Sequence, residues 1–188
     1  MNILVLSTWF PFPPDNGSKI RAYYLLQALA RRHEVTLIAF NLARVQPKHI
    51  NHPDLLPAVP IQSIFADPYR DVKLPTWRAF ISPVPLAYRR NRMFETRMRN
   101  TLAQGNWDCI VAIQTPVARY ALQDRRYPAL LDVDTSLSYQ MYERRVHAPK
   151  NVISQARTWG SYQKAFRYES RLFKQFAACT VVSSTEIN

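Results

Sequence analysis

The sequence predicts an α/β fold in which helices cover both faces of a doubly wound, mostly parallel sheet. Two observations predict it: short apolar runs typical of fully covered strands recur along the chain, and stretches with helical periodicity separate them. The length of 188 residues suits one domain or one lobe of a larger enzyme. Sheets of this class bind ligands where their strands end, so candidate functional residues are expected in the loops that follow the strands.

The first forty residues predict a βαβ unit. Residues 3–6 and 35–40 are apolar runs that predict two strands. The helix between them is predicted by apolar residues at positions i, i+3, i+4 and i+7, namely Ala22, Leu25, Leu26 and Leu29. It begins at Ser18 and ends at the basic run 31–33, where the helix dipole favours cations. A connection of this length implies parallel strands and a right-handed crossover.

The same alternation continues to the end of the chain. Further buried strands are predicted at 109–113, 129–133 and 180–183, and helices near 86–104, 117–123 and 154–176. Eight of the fourteen prolines lie from Pro47 to Pro85, which predicts a loop-rich segment that encloses at most one strand, at 61–65.

The net charge of +12 is concentrated in two segments. Residues 86–107 carry five arginines against Glu95, and residues 144–174 carry eight cations against Glu169. The arginines of the first segment are Arg89, Arg90, Arg92, Arg97 and Arg99. Such concentrated charge predicts an anionic partner, which leaves nucleic acid, phospholipid and a phosphate-bearing substrate as alternatives.

Several classes of protein are excluded by what the sequence lacks. The apolar start resembles a strand rather than a targeting segment, and no apolar run approaches the roughly 20 residues that span a bilayer. No cluster has zinc spacing, so no metal is expected, and no RNA-binding or helix-turn-helix pattern is present, which argues against nucleic acid. Cys109 and Cys179 each lie in an apolar run, which predicts reduced, buried thiols in a cytoplasmic protein.

The turn between the first strand and its helix holds the first candidate site, formed by Asn16, Gly17, Ser18 and Arg21. Gly17 allows the backbone to approach a ligand closely, the free N–H groups at the helix start favour an anion, and Arg21 adds positive charge. The alternative is an ordinary turn in which Asn16 or Ser18 is the N-cap of the helix. Because neither GxGxxG nor a Walker A sequence is present, spacing alone favours the ordinary turn.

Asp132, Asp134 and Ser136 form the second candidate site, at the end of the strand predicted over 129–133. Two carboxylates at the end of a buried strand suit a metal site or an acid–base pair. Equally, one aspartate caps the following helix and the other pairs with an arginine. The residues alone leave both alternatives open.

Two helical segments carry alternatives of their own. In 154–176, Glu169 lies on an aromatic stripe, which predicts a buried carboxylate that is paired for structural reasons. In the arginine-rich segment from Arg89 to Arg99, the interleaved apolar residues either insert into an anionic membrane or face the core from an ordinary soluble helix. These apolar residues are Met93, Phe94, Met98 and Leu102.

Several segments carry a family resemblance. They are MNILVLSTWFPFPPDNGSKIR, LLQALARRHEVTLIAF, NWDCIVAIQTP and YESRLFKQFAACTVVSSTE. In order and spacing they resemble the amino-terminal lobe of family-4 retaining glycosyltransferases of the GT-B fold. PPDNGSKIR and LLDVDTS are similar to a branch of sugar transferases linked to bacterial exopolysaccharide clusters. The resemblance covers nearly the whole chain, although 46–85 matches little.

The resemblance implies that 1–188 is a Rossmann-like acceptor-binding lobe and that a second lobe, absent from this chain, binds the nucleotide-sugar donor. Transfer in the family is usually metal-independent, with the departing phosphate acting as base. No cofactor is therefore implied, and the nucleotide-sugar is a co-substrate. Because the donor-binding residues belong to the second lobe, this chain alone is expected to be inactive.

The resemblance also assigns site residues. Gly17 and its neighbours Asn16 and Ser18 would line the cleft near the donor phosphates. Arg21, Asp132 and Ser136 would lie on the acceptor side of that cleft. Asp134 stands where many family members have a histidine, and the catalytic position is assigned to it.

Two hypotheses follow. The leading one is the acceptor-binding lobe of a cytoplasmic glycosyltransferase that transfers a sugar to a polysaccharide or lipid-linked acceptor. In this hypothesis the arginines from Arg89 to Arg99 place it at the anionic inner face of a membrane as a peripheral protein. The other is a non-catalytic, basic α/β module that binds nucleic acid or a protein partner.

Overall fold

The computed structural model describes residues 1–42, 59–68, 82–147 and 151–182, which contain one six-stranded sheet. The strands are β1 (Asn2–Ser7), β2 (Glu34–Phe40), β3 (Ile61–Ile64), β4 (Cys109–Ile113), β5 (Ala129–Val133) and β6 (Ala178–Val181). The helices are α1 (Gly17–Ala30), α2 (Arg92–Gln104), α3 (Ala118–Ala121), α4 (Leu137–Val146) and α5 (Val152–Phe173). Short 3-10 turns, Leu86–Tyr88 and Thr115–Val117, precede α2 and α3.

The sheet is parallel throughout, with the strand order β3-β2-β1-β4-β5-β6. This order confirms the predicted doubly wound α/β architecture. The chain winds outward in one direction from β1 and in the other from β4, so the direction of winding reverses between these two central strands. Doubly wound sheets bind ligands in the crevice outside the carboxyl ends of the strands at such a reversal.

The core lies on both faces of the sheet. Ile3 and Val5 of β1 belong to the apolar cluster that includes α1, whereas Leu4 and Leu6 belong to the cluster that includes α2 and the end of α5. A strand covered on both faces must be apolar at every position, which is why residues 3–6 form a continuous apolar run.

Several predicted boundaries shift for local reasons. The helix predicted over 86–104 begins at Arg92, because the Asn91 side chain accepts hydrogen bonds from the first backbone N–H groups. The optional strand at 61–65 is present as β3, and most of the loop-rich segment around it lies outside the described residues. The sequence predicts α4 only as the helix that a capping aspartate would begin. None of its residues is buried, so no core-facing apolar stripe marks it in the sequence.

The prediction of a buried last strand and a buried Cys179 is wrong. Ala178, Cys179 and Thr180 of β6 are exposed, and within the described ranges β6 pairs with β5 alone. As an edge strand, β6 has apolar residues without the cover that β4 and β5 receive. Cys109, on central β4, is buried as predicted, and both thiols are free.

This difference predicts that one thiol reacts in the native protein. Burial raises the pKa of both thiols, so access to the sulfur decides which one a disulfide reagent modifies. We expect Cys179 to react with Ellman's reagent in the folded protein and Cys109 only after denaturation. The Cys179→Ser variant should lose the native reaction. Reaction of both thiols in the folded protein would contradict the assignment.

Candidate functional site

The loops that follow β1 and β5 bring the two candidate sequences together at the edge where the strands end. The guanidinium of Arg21, on α1, donates through Nε to Oδ2 of Asp132 at 2.8 Å and through Nη2 to Oδ1 at 2.6 Å. This is a two-point ion pair between residues 111 positions apart in the sequence. The structural alternative was that one aspartate caps the following helix and the other pairs with an arginine. The pairing with an arginine is therefore confirmed.

Asp132 is fully engaged by the protein itself. Besides Arg21, the hydroxyl of Thr180 donates to its Oδ1 at 2.5 Å, and the side chain of Asp132 is only 5% exposed. The hydrogen bonds that Arg21 donates to Asp132 raise the pKa of its guanidinium. The Arg21 side chain is 36% exposed, so part of it remains in contact with solvent. Asp132 thus positions a partly exposed arginine at the end of the strands.

Asp134 makes a second link between the same two loops. The Ser18 hydroxyl donates a hydrogen bond to its Oδ2, and Asp134 is half-buried. The prediction that one aspartate caps the following helix is wrong, because Ser136 caps α4 by accepting from the N–H of Tyr139 at 3.1 Å. We call Ser18, Arg21, Asp132 and Asp134 the strand-end site.

The start of α1 lies beside this site and is open. Asn16, one of the two predicted N-caps, accepts from the N–H of Lys19 at 3.0 Å, which leaves Ser18 to bond Asp134. A methyl group added at Gly17 would meet no atom within 4 Å, and the φ of Gly17 lies outside the left-handed region. The fold therefore does not require glycine here, and the space beside Gly17 is accessible to an anion that the helix dipole favours.

Glu169 has the structural role predicted for it. Its Oε1 accepts from the Tyr88 hydroxyl and from the N–H of Leu137 at 2.7 Å, and its Oε2 accepts from the N–H of Ser138 at 2.8 Å. Burial, together with the neighbouring carboxylate, raises the pKa of Tyr88, which remains a donor. Glu169 thereby anchors the start of α4 just after Asp134.

Sequence reasoning missed Gln114, which follows β4 at the point where the winding reverses. Its φ of 74° and ψ of 149° lie at the border of a region populated essentially by glycine, and it is the one non-glycine residue with positive φ in the described ranges. Its N–H donates to the Asp132 carbonyl oxygen at 2.8 Å, while its buried Oε1 has no hydrogen-bond partner. No sequence pattern signals a backbone conformation of this kind.

Three of the four apolar residues of the arginine-rich segment lie in the core. Phe94, Met98 and Leu102 are buried against the sheet, which confirms the core-facing alternative for these three. Met93 is exposed. The helix α2 therefore offers a membrane its cations and Met93 rather than an apolar face.

The five arginines of that segment have different surroundings. Arg92, Arg97 and Arg99 are exposed, and Arg90 pairs with Glu95 at 3.0 Å. The Nη1 and Nη2 atoms of Arg89 are shielded from solvent and have no hydrogen-bond partner. A cavity of about 450 Å³ beside α2 includes Arg90 and Arg99 but no residue of the strand-end site. Contact of these arginines with a membrane stays a prediction.

Within the described part of the chain, no group of three or more His, Cys, Asp or Glu side chains is arranged to hold a metal ion. Among the same residues, no helix combines the length and apolar character needed to cross a bilayer.

Solved structures that share this fold include two of UGT2. Apo UGT2, a UDP-glycosyltransferase from Phytolacca americana, matches with a TM-score of 0.55 at 12% identity, over 100% of this chain and 47% of its own. UGT2 complexed with UDP-2-fluoro-glucose and pterostilbene matches with a TM-score of 0.55 at 10% identity, over 99% and 49%. The chain thus spans about half the length of these structures. No family model and no curated protein matches the sequence.

At this identity the likeness shows the fold. The chain forms a Rossmann-like α/β lobe of the kind found in GT-B glycosyltransferases. The family-4 assignment and the exopolysaccharide branch rest on the sequence resemblance alone.

Proposed function

We propose that the chain is the acceptor-binding lobe of a glycosyltransferase that transfers a sugar from a nucleotide-sugar to a polysaccharide or lipid-linked acceptor. The observation that carries the proposal is the strand-end site, in which two distant loops meet through Arg21–Asp132 and Ser18–Asp134. It lies at the ligand-binding edge of a fold shared with a UDP-glycosyltransferase. The resemblance to the family-4 exopolysaccharide branch supports the class of acceptor.

Asp134 is the residue we assign to the acceptor hydroxyl. Its carboxylate accepts from Ser18 and is half-buried, so lone pairs remain for a sugar hydroxyl that donates to it. Such a charge-assisted hydrogen bond orients the hydroxyl oxygen for attack on the anomeric carbon. In the family that the sequence resembles, the departing phosphate accepts the proton.

Arg21 has the complementary role. The two hydrogen bonds that Arg21 donates to Asp132 fix its guanidinium, and its exposed part lies close to the open start of α1. A fixed cation next to a helix N-terminus stabilises the charge that develops on a departing phosphate. The preorganisation is supplied by Asp132, which is a positioning residue.

Sugar transfer tests the proposal through an isosteric variant. In full-length protein we expect Asp134→Asn to lower kcat/KM about 100-fold, since a misplacement of the reacting group by ~1 Å costs ~10²-fold. Asparagine keeps an acceptor for Ser18, so the melting temperature should hardly change. The measurement is release of nucleoside diphosphate from a panel of nucleotide-sugars. Asp124→Asn is the matched control, because Asp124 pairs with Arg126 at 2.6 Å outside the site.

Two outcomes would overturn parts of the proposal. Equal activity of Asp134→Asn and Asp124→Asn would remove Asp134 from the site. Full-length protein that transfers from no nucleotide-sugar, but binds nucleic acid or a protein, would support the non-catalytic module instead.

A further inference from the structure

The helices α4 and α5 form an antiparallel hairpin whose far end stands away from the sheet. Glu169, late in α5, holds the start of α4, and the rings of Tyr142 and Tyr162 lie 6.0 Å apart midway. The end of α4 at Val146 and the beginning of α5 at Val152 therefore lie together at the opposite end. We call this opposite end the hairpin tip.

The hairpin tip contributes little to the core. No residue of α4 is buried, and the first buried residue along α5 is Ala165. Ala165 lies thirteen positions along the helix from Val152, which corresponds to about 20 Å at the standard rise. Substitutions at the tip should therefore affect folding only slightly.

The hairpin tip is nevertheless apolar. Val152 and Ile153 are 84% and 83% exposed, and Val146 is 58% exposed. Aromatic residues follow further from the tip: Tyr139, Tyr142, Trp159 and Phe166 are all exposed. Single exposed apolar residues are ordinary, but three aliphatic side chains at one projecting end, with aromatics behind them, indicate a surface that is covered in function.

Cations lie next to these residues in the sequence. Arg144, Arg145 and Arg157 are exposed next to the tip, and Glu143 is the single acidic residue in the sequence from 137 to 168. Glu143 itself lies 3.6 Å from His147. An aliphatic end, adjacent cations and a set of Trp and Tyr residues further back match the chemistry of an anionic lipid interface.

We propose that the hairpin tip docks on an anionic phospholipid surface, with Val146, Val152 and Ile153 below the headgroups and Arg144, Arg145 and Arg157 at their phosphates. The helix α2, whose apolar residues face the core, is the poorer candidate for this contact. Lipid binding does not require sugar transfer, so the proposal stands or falls separately from the proposed function.

Vesicle flotation of full-length protein tests the docking. We expect binding to vesicles that contain phosphatidylglycerol, little binding to phosphatidylcholine alone, and weaker binding at high salt. Arg144→Ala with Arg145→Ala should lower the partition coefficient about fivefold for each arginine. Val152→Ser with Ile153→Ser should lower it at least about tenfold. Matched controls on α2, Arg97→Ala with Arg99→Ala and separately Met93→Ser, should bind like the wild type.

Trp159 gives a direct reading of depth. At 50% exposure and two turns from the tip, its fluorescence should be quenched by brominated lipids, and the Trp159→Phe variant should lose that quenching. Sugar transfer to a water-soluble acceptor should be unchanged in every hairpin variant.

Four results would overturn the proposal. Wild-type binding by the hairpin variants would do so, and loss of binding in the α2 pair instead would move the contact to α2. A second copy would be shown to cover the tip by two results together: the wild type binds neither vesicle, and the double variant Val152→Ser, Ile153→Ser changes its mass in solution. A large fall in the melting temperature of the hairpin variants would show that the chain itself covers the hairpin tip.

Discussion

Glu169→Ala is expected to destabilise the protein by about 3 kcal/mol or more, because each polar group that loses its partner in a buried site costs ~1–3 kcal/mol. The substitution leaves the Tyr88 hydroxyl and the N–H groups of Leu137 and Ser138 without their acceptor. Glu169 is 2% exposed, so water cannot readily replace the carboxylate. Urea unfolding followed by circular dichroism measures the loss.

Two further variants separate this network from an ordinary surface charge. Glu169→Gln keeps the oxygen that serves Tyr88 and Leu137 but sets an NH₂ group against the Ser138 N–H, so we expect an intermediate loss of about 1–2 kcal/mol. Glu95→Ala, which removes a more exposed carboxylate paired with Arg90, should cost less than about 1 kcal/mol. Equal unfolding midpoints for Glu169→Ala and Glu95→Ala would contradict the role of Glu169.

The elements that sequence predicts well are those whose signal is local. The run Cys109–Ile113 is continuous and apolar because helices cover β4 on both faces, and α1 shows its stripe because one side of it is buried. Where tertiary context removes the cover, the same signal misleads. Residues 180–183 are apolar enough to predict a buried strand, yet the strand observed there, Ala178–Val181, forms an exposed edge.

The candidate site follows the same logic. The residue types at Arg21, Asp132 and Asp134 and their places after strands are visible in the sequence, so the sequence identifies them as candidates. The pairing was not, because Arg21 and Ser18 meet the aspartates across more than 110 residues, and the sequence does not specify which loops of the sheet become neighbours. Gln114 lies beyond sequence reasoning altogether, since its distinguishing property is a backbone angle.

That backbone angle predicts an inverted order of stability at position 114. At ordinary positions glycine is less stable than alanine by about 0.5–1 kcal/mol, because the unfolded chain gains freedom. Alanine at position 114 would keep the unfavourable φ of 74°, whereas glycine would adopt it freely. Since such strain costs ~1–3 kcal/mol, we expect Gln114→Gly to be about 1–2 kcal/mol more stable than Gln114→Ala in urea unfolding.

Gln123 is the matched control, because it is also a glutamine with a shielded, unpartnered side-chain atom but lacks a positive φ. There, glycine should be the less stable of the two variants. In full-length protein, Gln114→Gly should also lower kcat/KM for sugar transfer despite its greater stability than Gln114→Ala. Backbone strain that persists at the reversal of winding indicates a functional role for the Gln114 side chain, and the glycine variant lacks that side chain. A glycine variant less stable than the alanine variant would show that position 114 is unstrained.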